Sequence, residues 1–172
     1  MPWCFMPGRE YETLQTLKSE ILASLDRTRE LDNKLQEYTA QLLPREDVPE
    51  PILITVSYLL NGIYRCFEDQ FLKIAKVFEN RVENPASWHR ELLERMQIAV
   101  EGIRPRVLTR SAFRLLNELR GFRHVFRSSY AFELDEERIR LILRRWEKGK
   151  TTVYKDLMDF IDTLSTFTAE KT

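Results

Sequence analysis

Three arginines surround His124, which is one of only two histidines in the chain. Arg120, Arg123 and Arg127 recur every three or four residues in this stretch, so they occupy neighbouring positions if the stretch is helical. A guanidinium group can bind a phosphate through two parallel hydrogen bonds. An imidazole transfers protons near neutral pH. These residue types therefore predict a site that binds and breaks a phosphodiester.

The three arginines belong to a locally basic segment. Residues 104–128 contain seven arginines, no lysine and one acid, Glu118, although the whole chain has 27 basic and 27 acidic residues. A neutral chain does not coat nucleic acid indiscriminately, so any contact with nucleic acid is expected to be local. The alternative is that these arginines form a solvated helix face or pair with acidic helices of the same bundle.

The composition predicts one domain over residues 1–172, with an irregular segment at residues 1–9. The chain is 43% hydrophobic and 31% charged, enough for one substantial core. It has no apolar run long enough to span a bilayer, and its start lacks the pattern of a secretory leader. Cys4 and Cys66 have no metal-ligand spacing. We expect a cytoplasmic protein with no membrane association, no metal and no cofactor.

Helical periodicity predicts an all-α, mostly antiparallel bundle of about five helices. The first is long, over residues 10–43, with one stripe on which Ser24 and Thr28 interrupt the apolar residues, so packing within a bundle is favoured over a free zipper. The second, from Val56 to Phe78, has a broad aromatic face and is predicted to be the central core helix. Asn84-Pro85 is predicted to open the third helix.

The ends of the later helices are also predicted from single residues. Pro105 should end the third helix, and Thr109 should cap the fourth. Asp135 should cap the fifth, with Leu134 packed on its first turn. Gly149 is a candidate kink or break in that last helix.

The fourth helix divides into two faces when residues are placed every 100°. The apolar face predicts the core side and consists of Leu115, Leu119, Phe122, Val125 and Phe126. The opposite arc is a continuous polar stripe formed by Asn117, Arg120, His124, Arg127 and Ser128, with Arg123 at its border.

Residues 88–96, 104–108 and 119–127, together with Tyr130 and Leu134-Asp135, resemble the HepT-like branch of the HEPN superfamily of metal-independent ribonucleases. The resemblance covers about residues 50–165. It implies an all-helical homodimer in which two histidine and arginine sets face each other across a cleft. It also implies an RNA-cleaving toxin, whose partner is a minimal nucleotidyltransferase antitoxin that attaches adenylate to a tyrosine near the active histidine.

The chain departs from the family motif in two places. The motif has four to six residues between its arginine and histidine, and a tyrosine two residues after the histidine. Here three residues separate Arg120 from His124, and Phe126 replaces the tyrosine. Phenylalanine has no hydroxyl to adenylate, so Tyr130 is the nearest candidate for modification. The alternative for Tyr130 is simple packing at the helix end.

The resemblance and the spacing together assign roles to the polar stripe. Arg120 and His124 are the expected catalytic pair, and RNA or phosphate contacts are expected from Arg123, Arg127 and Asn117.

We interpret the other histidine, His89, beside Trp88, as packed on the aromatic ring or exposed rather than catalytic. It also lacks the second histidine of a zinc-binding helix.

Two other functions remain open from the sequence. One is a catalytically degraded HEPN-type helical protein that still binds a nucleotidyltransferase. The other is a structural adaptor that uses the stripe from Leu14 to Leu42 as its contact surface.

Overall fold

The computed structural model describes residues 7–79, 88–128 and 134–169. In these ranges the chain forms five helices and no strand, which confirms the all-α prediction. The helices are α1 (Pro7–Leu42), α2 (Glu50–Glu79), α3 (Trp88–Met96), α4 (Arg110–Ser128) and α5 (Glu136–Ala169).

Helix α1 packs antiparallel to both α2 and α5. Ser24 of α1 bonds to Gln70 of α2. Lys18, in the first half of α1, bonds to Ser165 near the end of α5, and the last residue of α1, Leu42, bonds to Arg140 near the start of α5. The apolar stripe of α1 is buried through Leu17, Ile21, Leu25, Leu35 and Leu42. The stripe therefore packs within the bundle, as predicted. The helix begins at Pro7, three residues earlier than expected, and proline suits a first turn because its missing N–H has no helical acceptor there.

The two polar interruptions of this stripe are satisfied by hydrogen bonds. The buried Thr28 hydroxyl donates to the Ser24 carbonyl at 2.8 Å. The Ser24 hydroxyl accepts from the Gln70 side-chain amide at 3.1 Å. Because both side chains are bonded, Ser24 and Thr28 avoid the cost of unpaired buried polar groups.

Helix α2 is the central core helix that its aromatic face predicts. The Phe67 ring lies 6.0 Å from the Trp146 ring and 5.9 Å from the Tyr154 ring, both on α5. Phe71 stacks on Phe67 one turn later at 6.5 Å. These centroid distances are in the range of favourable aromatic pairs.

The prediction that the third helix runs to Pro105 is wrong, because α3 ends at Met96. The Met96 carbonyl accepts the backbone N–H of Leu108 at 2.9 Å instead of continuing the helical pattern. Gly102 adopts a φ of 71°, a left-handed conformation that favours glycine. The predicted start of the third helix, at Asn84-Pro85, lies outside the described residues.

The predicted caps of α4 and α5 are confirmed. Thr109 Oγ1 accepts the Ala112 backbone N–H at 3.4 Å, and Asp156 on α5 accepts both the backbone N–H and the hydroxyl of Thr109. Asp135 Oδ1 accepts the Arg138 backbone N–H at 3.0 Å. These bonds fix the start of each helix and tie α4 to α5.

Gly149 does not break α5, which continues as one helix to Ala169. A Cβ at this position would lie 2.8 Å from Leu115 Cδ2 on α4. The glycine therefore permits a close approach of α4 and α5, a packing role that the sequence pattern did not indicate.

Candidate active site

Helix α4 presents the predicted apolar face to the core. Leu115, Leu119 and Phe122 are buried, and Phe126 is half-buried. The side chain of Val125 lies outside the described part of the chain. With this face packed inward, His124 on the opposite arc is exposed to solvent.

Arg120 lies one turn before His124 and is half-buried. Its Nε donates to the Asn117 side-chain oxygen at 3.0 Å. Asn117 therefore orients the guanidinium of Arg120. Within the described residues, the two terminal amino groups of Arg120 make no further hydrogen bond or ion pair, so they remain available to an anion.

Arg123 is tied to the interior of the bundle rather than to the polar stripe. Its Nη1 lies 3.2 Å from Glu68 Oε2 on α2, and the two side chains are only 13% and 5% exposed. The guanidinium carbon also lies 5.9 Å from the centre of the Tyr64 ring. Because Arg123 lies at the border of the stripe, it is close enough to α2 to pair with Glu68.

Glu68 also binds His89, so it joins three helices. His89 Nδ1 lies 2.5 Å from Glu68 Oε1. The imidazole packs against the Trp88 ring with the two centres 3.7 Å apart. His89 is thus packed on its aromatic neighbour, in agreement with the interpretation from sequence.

Glu68 is a site residue that the sequence reasoning missed. It lies among Tyr64, Phe67 and Phe71 on the buried face of α2. A carboxylate at a core position needs a partner, because an unpaired buried charge is strongly unfavourable. A charged residue interrupting an apolar face was the available signal.

Tyr64 contributes a neutral hydroxyl beside this cluster. Burial, followed by the negative charge of Glu68, raises the pKa of Tyr64 well above its ordinary value, while Arg120 and Arg123 act in the opposite direction. The phenol therefore stays protonated at neutral pH. It contacts the charged cluster without adding charge to it.

A second arginine of the basic segment, Arg104, is also structural. Its Nε bonds to Glu79 Oε1 at 2.8 Å, and its amino groups donate to the backbone carbonyls of Arg95 and Ile98. Burial lowers the pKa of Arg104. Arg104 and Arg123 thus pair with acids inside the bundle, which is the alternative considered from sequence.

Two predicted site residues cannot be placed. The side chain of Arg127 and the whole of Tyr130 lie outside the residues that the structure describes. In the described ranges, no group of three or more His, Cys, Asp or Glu side chains is placed to hold a metal ion. The described helices also include none that is both long and apolar enough to cross a bilayer.

A family model described as HepT-like protein matches residues 55–164. The chain belongs to this HepT-like family. The match includes Glu68, His89 and the whole of α4, so it covers the cluster around His124, and it confirms the resemblance to HepT-like proteins of the HEPN superfamily. Comparisons with curated proteins and with solved structures give no match.

Proposed function

We propose that the protein is the RNA-cleaving toxin of a toxin–antitoxin pair. Membership of the HepT-like family supports the toxin role. One observation carries the catalytic assignment: Arg120 and the exposed His124 lie one turn apart on the outer side of α4. Arg104 and Arg123, by contrast, are held by the half-buried Glu79 and the buried Glu68.

The proposed reaction needs no metal. His124 accepts the proton of a ribose 2′-hydroxyl, and the 2′-oxygen attacks the adjacent phosphorus. The bond from phosphorus to the 5′-oxygen breaks, and this oxygen takes a proton from water or from the histidine of a second copy. The Arg120 guanidinium binds the phosphate and stabilises the charge that accumulates on its oxygens. The products are a 2′,3′-cyclic phosphate and a free 5′-hydroxyl.

Asn117 has a positioning role in this proposal. Its hydrogen bond to Arg120 Nε leaves the two terminal amino groups of the guanidinium for the phosphate. Arg123 stabilises α4 through Glu68 and does not contact RNA. Arg127 remains a proposed RNA contact from its position in the sequence.

The assembly and the regulation are proposed by analogy with the family. A homodimer would bring two sets of Arg120 and His124 to one cleft and concentrate positive charge in a neutral protein. A minimal nucleotidyltransferase would act as antitoxin by adenylating Tyr130, because Phe126 has no hydroxyl. We propose a cytoplasmic location, where both RNA and the antitoxin are accessible.

A cleavage assay in buffer containing a chelator tests the catalytic proposal. His124→Ala should slow cleavage of a labelled RNA at least ~100-fold, the usual effect of losing a general base. Arg120→Lys keeps the charge but loses the planar fork, so it should also cut slowly. Arg27→Ala, an exposed arginine on α1, is the matched control and should cut at the wild-type rate.

Equal cleavage by wild type and His124→Ala would overturn the proposal. RNA binding without any cleavage that depends on His124 would favour the degraded, partner-binding alternative. The adaptor alternative is contradicted by the fold, because the α1 stripe that it would use as a contact surface is buried against α2 and α5.

Intact mass spectrometry tests the proposed antitoxin. The protein is incubated with ATP and a candidate nucleotidyltransferase, and one added adenylate is expected. Tyr130→Phe should remove this addition and leave the enzyme active. An unchanged adenylate on the Tyr130→Phe variant would show that a different residue is the acceptor.

A further inference from the structure

The exposed stripe of α4 continues beyond the proposed catalytic pair. At 100° per residue, Arg110, Arg114, Asn117, Gly121 and His124 fall within an arc of about 80°. Arg110 and Arg114 are both exposed. Neither arginine belongs to the family motif, because both are farther from His124 along the chain than the four to six intervening residues that the motif allows.

Both arginines differ from Arg104 and Arg123 in their surroundings. Within the described ranges, neither Arg110 nor Arg114 has a hydrogen bond or an ion pair to another side chain, whereas Arg104 and Arg123 bind glutamates. Their charges are therefore not neutralised by acids of the same bundle.

The acid of α4, by contrast, is paired with an arginine of α5. Glu118 is the single acid of α4, and its Oε2 lies 2.7 Å from Arg145 Nη1 of α5. Pairing with Arg145 limits the repulsion that Glu118 would exert on a polyanion. The outer side of α4 therefore presents net positive charge.

The path from these arginines to His124 carries no side chain at Gly121. Gly121 is the residue between Asn117 and His124 on the stripe, and a Cβ built there would meet no atom within 4 Å. An RNA strand lying along α4 could therefore contact the exposed arginines at one end and His124 at the other.

We propose that Arg110 and Arg114 form a second phosphate-binding subsite for the RNA that His124 cleaves. This inference rests on the proposed ribonuclease function. At a rise of about 1.5 Å per residue, Arg114 and Arg110 lie about 15 and 21 Å along the helix from His124. For a strand stacked as in a duplex, with a rise of about 3.4 Å per nucleotide, these distances correspond to about four to six nucleotides on one side of the cut.

A binding experiment on a cleavage-inactive protein tests this subsite. The His124→Ala variant is titrated against labelled RNAs of three and twelve nucleotides at several salt concentrations. Adding Arg110→Ala and Arg114→Ala should weaken binding of the longer RNA about tenfold or more. The slope of log affinity against log salt should become shallower by about 1.4, because two phosphate contacts are lost. Binding of the three-nucleotide RNA should change little.

The matched control removes two exposed basic residues from a helix that does not contact α4. Arg27→Ala with Lys34→Ala changes the net charge of the chain by the same amount, on α1. This control should retain both the affinity and the salt slope. Circular dichroism should show all variants folded, since every substituted side chain is exposed.

The possible outcomes separate the two proposals. An unchanged affinity of the Arg110 and Arg114 variant for the longer RNA, with His124-dependent cleavage intact in the wild type, would overturn the subsite alone. Equal losses in the control variant would also overturn it, because the effect would then come from net charge. Absence of RNA binding in the parent protein would refute the ribonuclease function and the subsite together. Weaker binding of an acidic antitoxin, with RNA binding unchanged, would identify the stripe as a protein-docking surface.

Discussion

Replacing Glu68 with leucine should strongly destabilise the protein, because it leaves the Arg123 guanidinium buried without a counterion. Glu68 and Arg123 are 5% and 13% exposed, so water cannot replace the lost carboxylate effectively. His89 Nδ1 loses its partner at the same time. Removing one member of a buried pair costs about 3–5 kcal/mol. For a chain of this size, 3 kcal/mol corresponds to a fall in Tm of roughly 6–12 °C.

The matched control is the ion pair between Arg90 and Glu94. Its N–O distance is 2.8 Å, shorter than that of the buried pair, but its side chains are 70% and 44% exposed. Glu94→Leu should therefore cost less than about 0.5 kcal/mol, because exposed pairs contribute little. If the N–O distance alone determined how much an ion pair stabilises the fold, Glu94→Leu would be more destabilising than Glu68→Leu.

Urea unfolding of a double-mutant cycle measures the pair directly. Glu68→Leu, Arg123→Met and the double variant are compared with the wild type at constant pH and salt. The double variant should recover to within about 1–2 kcal/mol of the wild type, because it has no unpaired guanidinium and leaves only the partly exposed His89 without its partner. A cost of Glu68→Leu no larger than that of Glu94→Leu would refute this reasoning. Additive losses in the double variant would refute it too.

For three further substitutions, the structure predicts the direction of the change in the free energy of unfolding or in its pH dependence. Gly121→Ala should stabilise the protein by about 0.5–1 kcal/mol in urea unfolding, since an alanine Cβ meets nothing and favours the helix, and a loss would contradict this. Arg104→Lys should destabilise it by about 2–4 kcal/mol, because lysine keeps the charge but cannot reach Glu79 and the backbone carbonyls together, and a near-neutral effect would contradict this. Burial, and then Asp32, raises the pKa of Tyr154 in the folded state, so the unfolded state releases this proton first as pH rises above about 10. Tyr154→Phe should therefore flatten the loss of stability between pH 9 and 11 measured by chemical unfolding, and an unchanged profile would contradict this.

The helices themselves could be predicted from local pattern. The apolar residues of α4 recur at helical spacing, so its inner and outer faces followed from the sequence. Thr109 and Asp135 could be identified as caps because a short oxygen-bearing side chain before an apolar run satisfies the first free N–H groups of a helix. The end of α3 could not be predicted from Pro105. It depends on Leu108 bonding back to Met96, a contact across a loop.

The roles of the individual arginines depended on tertiary structure. All seven arginines of residues 104–128 have the same chemistry, and the sequence does not say which of them meet an acid. Glu68 is 55 positions from Arg123 in the chain, and Glu79 is 25 positions from Arg104. Only the packing of α2 against its neighbours brings these carboxylates to those guanidiniums.

Residue spacing alone was enough to predict that the chain is helical, that it resembles HepT-like proteins, and that His124 and Arg120 share the outer side of one helix. These features follow from spacing along a single segment. The tertiary structure decided that Arg123 is held by Glu68 while Arg110 and Arg114 remain exposed on the stripe that contains His124. An ion pair between distant segments depends on helix packing, because its energy is set by separation and burial in three dimensions.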